Sequence, residues 1–281
     1  MGVDFCYLVC YHTRMGRVIC ITDVHGCYDE FMLLLEKAKY SEGVDRLVLA
    51  GDLVDRGPAS AKVVQWTRLA MAKHPGLVEC VMGNHDEKHF RYWKHVLKKR
   101  EHSNYKIPMR PFSTDKLQVF NSLEDEDLEF IGQLPAFISL QEDREGWLVV
   151  HAGLEPGKEL KDQDVGKMTH IRFLHQETRK TVSLDDNLQP PAGSVYWTEV
   201  YDLPYSVVYG HTVHSFTKPE VTRKAHGPTL VGLDTGVCFG GRLSAFFIPE
   251  HGEKVGPEHF VQVQASKAYS RSLLQNVKWD E

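Results

Sequence analysis

The chain has 281 residues, 42% hydrophobic and 25% charged, enough apolar material for a substantial core in one large or two small domains. Its formal net charge of -5 offers no global attraction to nucleic acid or anionic lipid, so an anionic ligand needs a local basic site. No apolar run reaches the length of a membrane-spanning helix and the N-terminus lacks a basic start followed by an apolar stretch, so a cytoplasmic protein without a membrane partner is expected.

In chain order, "RVICIT" (17–22) is β-branched and apolar, as a buried strand is, and Asp23 follows it. Residues 28–40 place Phe31, Leu34, Leu35 and Ala38 at helical spacing. "DRLVLAGD" is a second strand, and a helix over 59–73 follows Pro58. "LVECVMGN" and "DEKHFRYWKHVLKK" continue the pattern as strand and helix, which defines an α/β class. The stretch 100–145 is polar with an acidic helix at 122–132, and the strand "GWLVVHAGL" comes next. Residues 176–195, containing "DDNLQPPAG", are a candidate lid. "YSVVYGHT", "PTLVGLDTG", "RLSAFFIPE" and "HFVQVQAS" are closely spaced strands with Gly or Pro between them, which predicts a second half richer in antiparallel sheet.

Cysteines 6, 10, 20, 27, 80 and 238 show no two-residue spacing and are expected to be reduced, buried thiols. Met1-Gly2 with Cys6 lacks the Ser or Thr at position six that an acylation signal requires. The fifteen histidines are an unusually large number, and histidine is the commonest metal ligand.

The polar residues fall at the ends of strands. "ITDVHG" supplies Asp23 and His25, and "LAGDLVDRG" supplies Asp52, Asp55 and Arg56. "VMGNHD" supplies Asn84, His85 and Asp86, "VVHAG" supplies His151, and "VYGHT" supplies His211. Ligands of α/β sheets bind outside the carboxyl ends of strands, so these five ends can converge on one site. Mixed Asp, His and Asn donors suit Mn, Fe or Zn. They are too many for one ion, and two ions about 3.5 to 4 Å apart form the clamp for in-line displacement at phosphorus.

"DVHG", "GDLVDRG", "GNHD", "HAG" and "GHT", in this order over residues 23–212, resemble the motifs of the calcineurin-like metallophosphoesterases of the phosphoprotein-phosphatase superfamily. The resemblance implies a sandwich of central β-sheets flanked by helices, a dimetal site at strand C-terminal ends, and one domain over 1–281 with C-terminal strands in 213–265 and a tail at 266–281. It also implies two divalent transition-metal ions, manganese first and iron or zinc as alternatives. By motif, Asp23 and His25 bind the first ion, Asp52 bridges, and Asn84, His151 and His211 complete the second. His85 protonates the leaving oxygen with Asp55 behind it, a role that requires a group titrating near neutral pH. Arg56 holds the phosphate, its planar fork matching a tetrahedral oxyanion. Arg172 in "THIRFL" is the candidate for a second phosphate-binding arginine, with an exposed helix position as the alternative.

"DVHGCYDE", "HFRYWK" and "GLDTGVCFGGRLSAFFIPE" are similar to the ApaH-like and PrpE-like bis(5'-nucleosyl)-tetraphosphatases and to the phosphatase module of bacterial RNA-repair enzymes. The implied substrate is a dinucleoside polyphosphate or related nucleotide anhydride, with an RNA 5' end as the nucleic-acid option. The alternative is a protein serine/threonine phosphatase acting on a phosphoprotein, although the arginine that precedes that branch's third motif is replaced by Val81-Met82. A binding protein that keeps the fold without catalysis is a third class, against which the intact donor set argues. Tyr196 and Trp197 either stack on a nucleobase or pack in the core. The basic run Lys88–Arg100 either draws in a polyphosphate or is a solvated helix face.

Overall fold

The computed structural model describes residues 16–140, 146–185, 189–224, 227–250 and 252–270. The acylation question at residues 1–6, and 271–281 of the tail, lie outside these residues. The strands are β1 (Val18–Ile21), β2 (Arg46–Leu49), β3 (Val78–Cys80), β4 (Phe137–Ser139), β5 (Trp147–Val150) and β6 (Phe173–His175). They continue with β7 (Ser194–Tyr196), β8 (Ser206–Tyr209), β9 (Glu220–Arg223), β10 (Thr229–Gly232), β11 (Arg242–Phe247) and β12 (Phe260–Gln264). The helices are α1 (Tyr28–Lys37), α2 (Ser60–Lys73), α3 (Asn84–Glu101), α4 (Thr114–Ser122), α5 (Asp125–Gly132) and α6 (Val165–Met168).

Two five-stranded sheets, ordered β12-β11-β1-β2-β3 and β4-β5-β8-β10-β9, form the centre. The two-residue period of β1 shows how they pack. Ile19 and Ile21 join Phe31 and Leu34 of α1 and Val63 and Val64 of α2 in one cluster. Val18 and Cys20 join Val149, Val208 and Val231 of the second sheet in another. Both faces of the strand are buried, so its sequence is apolar throughout. The outer face of the second sheet is covered by a third cluster around Trp197, Tyr209, Met168 and Leu174.

β1, β2 and β3 run parallel, as do β5, β8 and β10. As expected from the sequence, the second half is richer in antiparallel pairing, at β9, β11 and β12 and in the β6–β7 hairpin, and β4 is also antiparallel to β5. Parallel neighbours need a long crossover. The links here carry short strands: β6 and β7 lie between β5 and β8, and β9 lies between β8 and β10. In each parallel set the carboxyl ends point the same way, and the sequence's chemical residues lie there. The acidic helix begins at Asp125, and α4 ahead of it, capped by Ser113, was not expected.

Candidate active site

The loops after β1, β2 and β8 are bent in an unusual way. Asp23, His25, Asp52, Asp55, Arg56 and His211 have φ of 49°, 47°, 54°, 70°, 69° and 68°. Left-handed backbone costs a non-glycine residue on the order of 1 to 3 kcal/mol and persists only where its surroundings enforce it. The enforcement is visible. Asp23 N donates to Gly51 O at 3.2 Å and His25 N to Asp52 O at 2.8 Å, so the first two loops are hydrogen-bonded together. Asp86, buried in the first turn of α3, accepts from Leu53 N at 3.0 Å, Val54 N at 3.3 Å and Gly83 N at 3.1 Å. Burial, then the nearby Asp52, raise its pKa to about 8. The aspartate of "GNHD" is thus the post that shapes the "GDLVDRG" loop.

Glycine permits the remaining approaches. A Cβ on Gly210 would lie 1.9 Å from Asp23 Oδ2, and one on Gly83 would lie 2.1 Å from Asp52 N. The backbone N–H of His211 donates to Asp23 Oδ2 at 3.0 Å, which links the last motif to the first across the sheets.

Five ring and carboxylate groups then meet in a way that hydrogen bonding alone does not satisfy. His25 Nδ1–H donates to Val54 O and His151 Nδ1–H to Ala50 O, each at 2.8 Å. With Nδ1 carrying the proton, each ring presents a lone pair at Nε2. That lone pair faces acceptors: His25 Nε2 is 3.4 Å from Asp52 Oδ2, and His151 Nε2 is 3.0 Å from Asn84 Oδ1 and 3.5 Å from Asp52 Oδ1. Burial lowers the pKa of His25, His151 and His211, against ring protonation as the remedy. Asn84 Oδ1 also lies 2.9 Å from His211 Nδ1, and His211 Nε2 is buried with no hydrogen-bond partner among the described residues. Asp23, whose pKa is raised by burial and then by Asp234 and Asp52, adds a further carboxylate.

Converging acceptors are what divalent cations require. Two donors each about 2.1 Å from one ion and at right angles are about 3 Å apart, close to the separations around Asn84. Rings whose other nitrogen donates to a carbonyl are the usual form of metal-binding histidine. Two groups of potential ligands, His25–Asp52–His85 and Asp52–His151–His211, share Asp52. The residues fit a pair of ions.

Beside this centre, His85 Nδ1 is 2.6 Å from Asp55 Oδ2, and its Nε2 is 3.2 Å from Arg56 Nη2. Burial would raise the Asp55 pKa, but hydrogen bonds from His85 and His89 hold it well below the usual carboxylate range. The Arg56 guanidinium lies 4.7 Å from the Phe239 ring centroid, which fixes its plane. Arg172 is not an exposed helix residue. It precedes β6, donates from Nε to Thr212 Oγ1 and from Nη2 to His211 O, both at 3.3 Å, and lines the same cleft as Arg56 and His85.

That cleft has a volume of about 1230 Å³, and its other walls include α4 and, from the candidate lid, Leu184, Gln189 and Pro190. Residues 186–188 of the lid lie outside the described residues. Tyr196 and Trp197 are buried in the third core cluster, so their place is packing. The basic run lies on α3, with Arg100 paired to Asp125 at 2.8 Å.

Three residues beside the site had no role in the sequence reading. His89 Nε2 lies 2.7 Å from Asp55 Oδ1, Lys116 Nζ lies 3.0 Å from Asp55 Oδ2, and Asp234 of "LDTG" lines the cleft. His89 is four residues after His85 on α3, a spacing that puts both on one helix face and could have revealed it. Lys116 carries no such signal.

The pattern of the calcineurin-like phosphoesterase family matches residues 16–239. The chain belongs to this family of metal-dependent phosphohydrolases. Among curated relatives, the bis(5'-nucleosyl)-tetraphosphatase PrpE (asymmetrical) of Bacillus velezensis is 30% identical over 270 residues, covering 88% of this chain and 94% of the relative. The corresponding Bacillus subtilis protein is 31% identical over 82% of this chain and 90% of its own length. The symmetrical bis(5'-nucleosyl)-tetraphosphatase of Erwinia tasmaniensis is 28% identical, covering 80% and 91%. A crystal structure presented as that of a candidate diadenosine tetraphosphatase superposes with a TM-score of 0.66 at 27% identity, over 90% of this chain and 95% of the other. No helix among the described residues is long and apolar enough to cross a membrane.

Proposed function

We propose that the chain is a single-domain, cytoplasmic hydrolase of dinucleoside polyphosphates. The observation that carries the reading is the set of lone pairs facing one another around Asp52 and Asn84, with the Asp55–His85 pair and Arg56 at its edge. The names of relatives aligned over most of their length support the substrate class, and the buried free thiols Cys20, Cys27, Cys80 and Cys238 support a reducing location.

Asp23 and His25 would hold one divalent ion, Asn84, His151 and His211 the second, with Asp52 between them; Mn, Fe and Zn all suit this donor set. Bound there, the ions would supply Lewis-acid polarisation of the phosphoryl group and a water of lowered pKa. The chain's own residues do the rest. Arg56 and Arg172 fix the phosphoryl oxygens from two sides. Asp55 accepts from His85 Nδ1 and orients the ring, and Nε2, which accepts from Arg56 Nη2 in this structure, presents a proton to the departing oxygen when the ring is doubly protonated. His89, on the other oxygen of Asp55, holds that carboxylate in plane.

The test is product analysis with Mn²⁺ on diadenosine tetraphosphate, a phosphoserine peptide and capped RNA. Diadenosine tetraphosphate should be the best substrate, and the product pair, ATP with AMP or two ADP, identifies the phosphorus attacked. Faster turnover of the phosphopeptide under matched metal would replace this reading with that of a serine/threonine phosphatase.

A further inference from the structure

Lys116 is on α4, a wall of the cleft that carries none of the motifs, yet its ammonium shares one oxygen of Asp55 with His85. Asp55 Oδ2 lies 2.6 Å from His85 Nδ1 and 3.0 Å from Lys116 Nζ, so the cation stands next to the imidazole. Lys116 pairs with the ionised Asp55, whose two oxygens are also hydrogen-bonded to His85 and His89. Lys88, four residues along α3 from Asn84, is close enough that burial and then the Lys116 charge lower its pKa. Two ammonium groups thus share the one Asp55 carboxylate, and the excess positive charge beside Lys116, which lines the cleft, leaves a demand for a second anion.

The place of that demand is informative. His85 serves the departing oxygen, so whatever departs lies on the His85 side of the cleft. In a phosphoanhydride the departing group is itself a phosphate, whereas in a phosphoserine or simple ester it is an uncharged alcohol. Resting on the reading of His85 above, we propose that Lys116 is a specificity-determining residue that binds the phosphate of the leaving group and selects phosphoanhydrides over phosphomonoesters. Its side chain is 26% exposed, enough to reach a ligand without unfolding α4.

Lys116→Met and Lys116→Arg test this, each compared with wild type on diadenosine tetraphosphate, tripolyphosphate and phenyl phosphate at saturating Mn²⁺. Phenol, with a pKa of about 10, needs the proton from His85 but carries no phosphate. Removing a charge-assisted hydrogen bond to the leaving group should lower kcat/KM on both anhydrides relative to phenyl phosphate by roughly 10- to 100-fold in Lys116→Met, and Lys116→Arg should recover most of it. Equal falls on all three substrates would overturn the proposal, because Lys116 would then act only through Asp55 and His85. So would unchanged ratios. A wild type that cleaves tripolyphosphate but not diadenosine tetraphosphate refutes the nucleotide reading alone, and the tripolyphosphate ratio still decides the role of Lys116.

Discussion

The two ends of the first sheet carry charge in opposite ways. At the amino ends of β1 and β2, charges answer one another: Arg17 Nη2 lies 2.6 Å from Asp45 Oδ2, and Arg46 Nη2 lies 2.6 Å from Glu79 Oε2. At the carboxyl ends, Asp52 and Asn84 face histidine lone pairs, and the backbone adopts left-handed turns to bring them there. The first arrangement is complete without a ligand. The second is complete only when cations and an anion enter it. Paired charge therefore marks where the sheet is stabilised, and unanswered charge marks where it acts.

On this contrast, Asp52→Asn has the largest effect. It removes the carboxylate shared by both ligand groups, so metal content measured by mass spectrometry should fall for both ions and activity should drop to background. The loss in metal affinity should exceed the roughly 10- to 100-fold that follows loss of an outer partner. Retention of two ions would contradict the bridging role.

His85→Asn comes next and should separate chemistry from assembly. Its side chain is 13% exposed at the edge of the cluster, and kcat should fall roughly 10²- to 10⁴-fold with metal content nearly unchanged. An active variant would remove the general-acid assignment.

Gly210→Ala tests whether the backbone is part of the site. The new methyl meets Asp23 Oδ2 at 1.9 Å, and overpacking of this kind costs about 1 to 3 kcal/mol. The first ion's affinity should weaken by roughly 10- to 100-fold, as for other disturbances of ligand orientation. Unaltered titration with Mn²⁺ would show that the loop yields without consequence.

The same contrast explains what could be read from the sequence. The strand-end residues were legible because each is bonded within a few residues of a buried strand, and a buried parallel strand is an apolar run. Asp23, Asp52 and Asn84 follow strands of the first sheet and His151 and His211 strands of the second, so the packing of the two sheets is enough to bring them together. The walls of the cleft were not legible, because they depend on how links fold back. α4 offers no buried residue of its own, so no apolar stripe announced it, and Lys116 was hidden with it. Arg172 was a candidate that no motif anchored, and its environment was hidden, since Thr212 and the His211 carbonyl reach it from forty and thirty-nine residues away. The parallel course of β5, β8 and β10 was missed because three-residue strands such as β6 and β7 give too little alternation to reveal a crossover.

The smallest effect should come from the opposite end of the sheet. Burial would raise the Asp45 pKa, but hydrogen bonds from Arg17 and from Ser41 N lower it below the ordinary value. A carboxyl with a depressed folded pKa stabilises above its unfolded pKa, about 3.9, and loses that contribution as pH falls through the folded value. Asp45→Asn should therefore cost about 1 to 3 kcal/mol in urea unfolding at pH 7, measured with a chelator so that metal linkage does not intervene. The difference from wild type should hold down to about pH 5 and shrink below pH 4, and metal titration of the folded variant should be unchanged. A difference independent of pH would mean that Asp45 acts by shape alone. A change in metal affinity would mean that the two ends of the sheet are coupled, and that the paired end is not merely structural.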